Sequence, residues 1–183
     1  NRESLHSALV KSIPPLLETA QFSKGAFQRH NQDCVTCHQQ YLPLTASAFA
    51  KSAGVPVDSQ IESEILEMVR RDNTNRFELT AQVTFHPEPG AEFGYALLAQ
   101  EPQNEAPNPA TDAAINHLLI VQCKDGQWHT NLRRPPMEST DFAATALAIR
   151  ALKKYPHPAR MTEITQRIER ARKWLARAKP VTN

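Results

Sequence analysis

Prolines that separate apolar stretches of helical spacing constrain the fold of this chain most. Proline occurs fourteen times and glycine only five, and the prolines cluster between the apolar stretches. Within those stretches apolar residues recur every three or four positions, which is the period of an amphipathic helix. Because proline ends helices and stiffens connections, the pattern predicts an all-α protein with rigid links.

Seven segments have this helical spacing. They cover about 4–20, 36–53, 58–71, 91–101, 110–122, 139–154 and 161–178. Pro14 and Pro15 inside the first segment predict that this helix is kinked or divided. Residues 73–90 are predicted to form an irregular link with a short extended piece at Phe77–Phe85. A chain of 183 residues can bury a core as one domain, so residues 1–183 are predicted to form a single domain.

Composition and charge argue against a nucleic-acid partner and against a membrane span. Hydrophobic residues make up 40% and charged residues 22%, as in an ordinary globular protein. The net charge is only +2, and no Lys/Arg cluster is interleaved with aromatic residues, so no nucleic-acid partner is predicted. No apolar run approaches the roughly 20 residues of a membrane span, so none is predicted.

The motif Cys34-Val35-Thr36-Cys37-His38 carries the clearest chemistry. Two thiols three positions apart can reach the two vinyl groups on one edge of a haem, and the next histidine can then bind the iron. The motif predicts one covalent haem c, attached through Cys34 and Cys37, with His38 as the proximal iron ligand.

Three other readings of this motif compete. A redox dithiol usually opens a helix after a strand, and no βαβ pattern is visible. A zinc site needs a second ligand pair, and no further Cys-x-x-Cys or His-x₃-His follows. The cysteines could also be inert. Haem attachment is the favoured interpretation.

A covalent haem predicts a location and a function. Such haems are attached outside the bacterial cytoplasm, and the chain begins without methionine, so we expect a removed leader or upstream segment and a periplasmic or secreted protein. The favoured function is one-electron transfer by a monohaem cytochrome-like domain with a redox partner protein. Two alternatives stay open. One is a small-ligand sensor or peroxidase-like enzyme with an open sixth iron position, and the other is a binding module.

An internal repeat adds a prediction about the scaffold. Leu44–Ala50 and Ala144–Arg150 lie one hundred positions apart and have similar sequences, each in a helix that follows an apolar helix and a loop. This similarity predicts two copies of one helical hairpin. The copies are expected to stack on each other, because a hairpin alone cannot bury its apolar stripe.

A second motif, Gln122-x₃-Gly126-x-Trp128, closes the apolar helix before it. It resembles the glutamine–tryptophan repeat of the squalene–hopene cyclase and protein prenyltransferase families. The segments that also resemble the cyclase branch are Arg134–Pro136, Phe142–Ala148 and Ala171–Leu175. The resemblance implies a partial α/α-toroid of helical hairpins, whose concave surface would serve the binding-module alternative. Such toroids usually have more hairpins, so this chain is expected to be either a piece of a longer protein or an open arc.

The resemblance does not extend to catalysis. The acidic Asp-x-Asp-Asp cluster of the cyclases is missing, and so is the zinc triad of the prenyltransferases. Asp112 and Asp141 are isolated acids at predicted helix starts, where carboxylates commonly stabilise the helix end. The sequence therefore predicts the scaffold of a cyclase without its reaction. An electron carrier is favoured over an enzyme.

The second iron ligand is predicted from the order of the helices. If successive helices alternate in direction, His30, His86, His129 and Met137 lie in loops at the same end as His38. His86 is favoured, because its loop is closest in sequence to the helix that follows the motif. His129, Met137 and His30 stay open, as do five-coordinate iron and a ligand from a partner chain. His117 is predicted to be a packing residue in mid-helix.

Overall fold

The protein is helical wherever its structure is described. The computed structural model describes residues 1–28, 35–84, 86, 88–132 and 140–179, without the side chains of 23–28, 37 and 38. Those ranges contain helices and no strand, which confirms the all-α prediction. The eight α-helices found there are α1 Arg2–Gln28, α2 Leu42–Ser52, α3 Ser59–Asn75, α4 Phe77–Ala81, α5 Pro89–Gln100, α6 Pro109–Val121, α7 Asp141–Lys154 and α8 Met161–Arg177. The toroidal arrangement stays a prediction.

Side-chain caps explain where two of these helices begin. Asp58 accepts hydrogen bonds from the backbone N–H groups of Gln60 (2.9 Å) and Ile61 (3.1 Å) at the start of α3. Asn108 and Thr111 form a reciprocal capping box at the start of α6. These side chains satisfy N–H groups that have no partner inside the helix.

Helix α1 continues through Pro14 and Pro15 as one helix, so the predicted division is not found. Ile13, which directly precedes the prolines, and Leu17, two positions after Pro15, are almost fully buried. They lie on the face of α1 that packs against α2 and α3. We attribute the continuity to this packing, which offsets the backbone hydrogen bonds that the prolines cannot make.

The predicted extended piece at Phe77–Phe85 is wrong over its first five residues, which form α4. This short helix packs against α6, where the carbonyl of Thr80 lies 3.2 Å from Nδ1 of buried His117. Val83 then takes a left-handed conformation (φ 53°) and ends the helical run. Phe85 lies outside the described residues.

The chain divides into two units by its internal contacts. Unit 1 comprises residues 1–76 and 98–105, and unit 2 comprises residues 77–97 and 106–183. In unit 1, α1, α2 and α3 pack on one another around Leu17, Leu44 and Ile65. In unit 2, α6, α7 and α8 surround a core that includes Leu118 and Leu152. The prediction of a single domain stays a prediction.

The Gln122–Trp128 motif joins several elements of unit 2. The side-chain amide of Gln122 donates to the carbonyls of Gly126 (2.8 Å) and Arg167 (2.9 Å). Trp128 is 1% exposed, and its indole N–H donates to the carbonyl of Leu118 at 2.9 Å. The glutamine thus closes the turn after α6 onto α8, while the tryptophan fills the core beside α6.

Candidate functional site

The second half of the cysteine motif begins a helical segment in unit 1. Residues Cys37–Tyr41 form one π-helical turn that leads into α2. The carbonyl of Thr36 accepts the backbone N–H groups of both Gln40 (3.1 Å) and Tyr41 (3.2 Å). The predicted helix start near residue 36 is confirmed. Cys34 and the side chains of Cys37 and His38 lie outside the described part of the structure.

Gln40 connects this turn to α1. Its side chain is 1% exposed, and Oε1 accepts the backbone N–H of Thr36 at 2.9 Å. Its Nε2 donates to the carbonyl of Ala20 at 3.3 Å. The backbone between the two cysteines is therefore held to the helix that precedes the motif. Sequence reasoning missed Gln40, since no pattern separates it from its neighbour Gln39.

Apolar packing completes the setting of the motif. Val35, between the two cysteines, is 8% exposed, and Tyr41 is 2% exposed. The hydroxyl of Thr36 accepts the backbone N–H of Gln39 at 3.2 Å, which caps the turn. Val35 and Thr36, the described side chains of the motif, are thus buried and half-buried in unit 1.

The favoured distal ligand, His86, lies in unit 2, whereas Cys37 and His38 lie in unit 1. Its side chain is 9% exposed, and Nδ1 lies 2.8 Å from Oε2 of Glu92 without the alignment of a hydrogen bond. Its ring centroid is 4.6 Å from that of Phe93 and 5.7 Å from that of His117. His86 therefore has a packing role of its own, and its role as an iron ligand stays a prediction.

His117 is buried next to His86, and the expected packing role is confirmed by its 1% exposure. Its Nδ1 lies 3.2 Å from the carbonyl of Thr80, which can only accept, so Nδ1 carries the proton. Burial lowers the pKa of His117, an effect that the Thr80 hydrogen bond opposes. The ring is therefore neutral near pH 7.

The other candidate ligands have different positions. His129 is half-exposed, and its Nδ1 lies 3.1 Å from Oδ2 of Asp141, the first residue of α7. Asp141 also accepts the backbone N–H of Thr130 at 2.8 Å, so it is a helix-terminal residue, as the sequence predicted. Asp112 likewise lies in the first turn of α6. His30 and Met137 lie outside the described residues.

The described ranges contain neither a cluster of metal-binding side chains nor a helix that could span a membrane. Within them, no three or more His, Cys, Asp and Glu side chains come together as a metal site. Those ranges do not include the thiol of Cys34 or the side chains of Cys37 and His38. No described helix combines the length and the apolar composition needed to cross a bilayer.

Comparisons with known proteins return no match. No family model, no curated protein and no solved structure matches this chain. The resemblance to the cyclase and prenyltransferase families therefore rests on the residues of the repeat and of the Gln122–Trp128 motif.

Proposed function

We propose that this protein is a c-type cytochrome-like domain that transfers single electrons through one covalent haem. The observation that carries the proposal is the motif Cys34-Val35-Thr36-Cys37-His38, the only place where two of the three cysteines lie close in sequence. The donor set of two thiols and one imidazole fits haem c. When bound, the haem iron supplies a one-electron couple between Fe(II) and Fe(III).

The residues around the motif have separate roles in this proposal. Cys34 and Cys37 hold the haem edge through thioether bonds, and His38 binds the iron. Gln40 supports them, because its hydrogen bond to the Thr36 N–H at 2.9 Å fixes the peptide between the cysteines. Such outer hydrogen bonds orient the groups that bind a metal and tune its potential. Gln40 is thus a positioning residue.

The helical scaffold also belongs to the proposal. The Gln122–Trp128 contacts support a repeat of cyclase-like hairpins, without the acids that a terpene cyclase needs. A periplasmic or secreted location and a redox partner protein follow from covalent haem. The sixth iron ligand is proposed to be His86.

A pyridine haemochrome assay tests the proposal directly. The protein is produced in a bacterial host that attaches c-type haems, and the absorption spectrum and intact mass are measured. We expect a c-type haemochrome and an added mass of one haem. The Cys34→Ala/Cys37→Ala variant should lose both signals, whereas Cys123→Ala, which removes the third cysteine, should keep them. Wild-type protein without covalent haem would overturn the proposal.

A second measurement separates electron transfer from small-ligand binding. A six-coordinate haem in the reduced protein should leave the spectrum unchanged when CO is added. Rapid CO binding by the wild type would instead favour the sensor or peroxidase-like alternative. If His86 is the sixth ligand, His86→Ala should bind CO, and His129→Ala should behave as the wild type does.

A further inference from the structure

Unit 2 contains a cleft that the haem proposal does not use. It has a volume of about 420 Å³, and its walls come from α4, α6 and the turn before α8. Ala113 and Ile115 are buried and form apolar walls, and Phe77 contributes a partly exposed ring. Small-molecule sites commonly have volumes of about 300–1,000 Å³ and are mostly apolar with a few polar groups. The cleft has the size and lining of such a site.

Asp112 is the carboxylate that lines the cleft. It is half-buried, and its side chain has no hydrogen-bond or ion-pair partner among the residues that the structure describes. Because it lies in the first turn of α6, the positive end of the helix dipole stabilises its ionised carboxylate. A half-buried carboxylate at an apolar cleft can still bind a cation or a hydrogen-bond donor.

The basic residue of the cleft, Arg160, is already engaged. Its Nε and Nη2 donate to Oε2 of Glu163 at 3.0 and 2.8 Å, and its Nη1 donates to the side chain of Asn116. Each of the three guanidinium nitrogens therefore has an acceptor within the protein. An anionic ligand would have to compete with Glu163, whereas a cationic ligand meets an unpaired carboxylate at Asp112.

His157 also lines the cleft, and a hydrogen bond from the backbone determines which ring nitrogen carries the proton. Its Nδ1 accepts the backbone N–H of Ala159 at 3.2 Å, so the neutral ring carries its proton on Nε2. The remaining nitrogen is a donor, and it adds no second acceptor for a cation. Asp112 is therefore the group that selects the charge of a ligand.

We propose that this cleft binds a small organic ammonium ion with an apolar body. The ammonium group pairs with the carboxylate of Asp112, and the apolar body packs on Phe77 and Ala81, whose side chains are accessible in the cleft. The proposal concerns unit 2 alone and holds whether or not the chain carries haem.

An NMR titration of the full chain with three matched probes tests the proposal. Benzylammonium, benzyl alcohol and benzoate share the ring and differ in charge. We expect saturable shifts of the backbone amides of Ala113, Asn116 and His157 with benzylammonium, with a dissociation constant on the order of 1 mM for so small a ligand. Benzyl alcohol and benzoate should bind at least about tenfold more weakly.

Variants assign the binding to the cleft. Asp112→Asn should weaken benzylammonium binding about tenfold, and Asp125→Asn, which changes an exposed acid in the turn after α6, should leave it unchanged. Ala81→Trp places a large side chain at an exposed position of the cleft wall and should abolish binding without disturbing a core residue. The proposal fails if benzoate binds as well as benzylammonium, if no shift saturates, or if either cleft variant binds as the wild type does.

Discussion

Several buried polar side chains of this chain hold one element to another, and three of them are central to its two motifs and to α4. Gln40, Gln122 and His117 are each at most 7% exposed. Gln40 holds the cysteine turn to α1, Gln122 holds the turn after α6 to α8, and His117 holds α6 to α4. A buried polar group whose hydrogen bonds are broken is costly, so each of these residues specifies one arrangement of its neighbours.

Gln40→Ala is expected to lower the free energy of unfolding by about 1–3 kcal/mol. The variant leaves the half-buried Thr36 N–H and the buried Ala20 carbonyl without this partner and opens a small cavity. Gln39→Ala is the matched control, because Gln39 is adjacent and more exposed, and it should cost less than about 0.5 kcal/mol. Urea unfolding followed by circular dichroism measures both. Equal losses in the two variants would contradict the anchoring role of Gln40.

Because of His117, the free energy of unfolding is expected to decrease as the pH is lowered from about 6.5. Burial lowers its pKa in the folded chain from the ordinary value of 6.5, so the unfolded chain binds the proton more readily. The contribution is complete above pH 6.5 and is lost as the pH falls towards the folded pKa, by up to about 1.4 kcal/mol per pH unit.

Urea unfolding at several pH values between 7.5 and 5.5 measures this slope. His117→Gln keeps a donor for the Thr80 carbonyl but cannot take up a proton, so its stability should vary less with pH than that of the wild type. The assignment to His117 is wrong if both proteins lose stability equally as the pH falls.

At the level of helices and turns, periodicity predicted seven of the eight described α-helices. Hydrophobic spacing made these predictions possible, because the buried face of a long amphipathic helix places apolar residues at every third or fourth position of the sequence. Helix α4 was missed because five residues give no period, and its formation depends on packing against α6. The continuity of α1 through Pro14 and Pro15 has the same cause, because packing outweighs a local preference there.

The candidate site shows the same division between local and tertiary information. Cys34, Cys37 and His38 could be proposed from the sequence alone, because a haem-attachment motif consists of neighbours in sequence. Gln40 could not, since its importance comes from Ala20, twenty positions away. The cleft at Asp112 could not be predicted from the sequence either, because the sequence places Asp112 only at the start of a helix.

The turn at Gly126 is expected to be far less tolerant of alanine than the turn at Gly54. Both glycines have positive φ, 116° and 78°, so both substitutions carry a backbone cost of about 1–2 kcal/mol. A Cβ at Gly126 would also lie 2.5 Å from the carbonyl oxygen of Arg170, whereas a Cβ at Gly54 meets nothing within 4 Å.

Gly126→Ala should therefore cost at least about 1 kcal/mol more than Gly54→Ala. Circular dichroism during urea unfolding compares each variant with the wild type. A Gly126→Ala variant as stable as Gly54→Ala would show that α8 can move away from the turn at little cost.

For the molecule as a whole, an ion pair closes unit 1 across a long stretch of chain. Arg70 of α3 donates through Nε and Nη2 to both carboxylate oxygens of Glu105, thirty-five positions later, with the Nε contact at 3.3 Å. Glu105 is 16% exposed, and Arg70 is 45% exposed, so solvent screens part of the attraction. The pair holds residues 98–105 to the rest of unit 1.

Glu105→Gln is expected to destabilise the protein by about 0.5–1 kcal/mol at low ionic strength, and by less in 1 M salt. Glu67→Gln is the matched control, because Glu67 contacts the same arginine at 3.7 Å but is 69% exposed. Its effect should be within about 0.3 kcal/mol. Urea unfolding at two salt concentrations measures both, and a salt-independent loss in Glu105→Gln would argue against a charge interaction.

The division of the chain into two units bears on how such a protein can be inherited. The chain passes from one unit to the other after Arg76, after Leu97 and after Glu105. Each unit is thus assembled from two separate stretches of sequence, and a single crossover in the gene cannot transfer either unit without a stretch of the other. Any single crossover between the cysteine turn and the Gln122–Trp128 turn leaves at least one unit composed of two parental sequences, so we expect the two motifs to be inherited together.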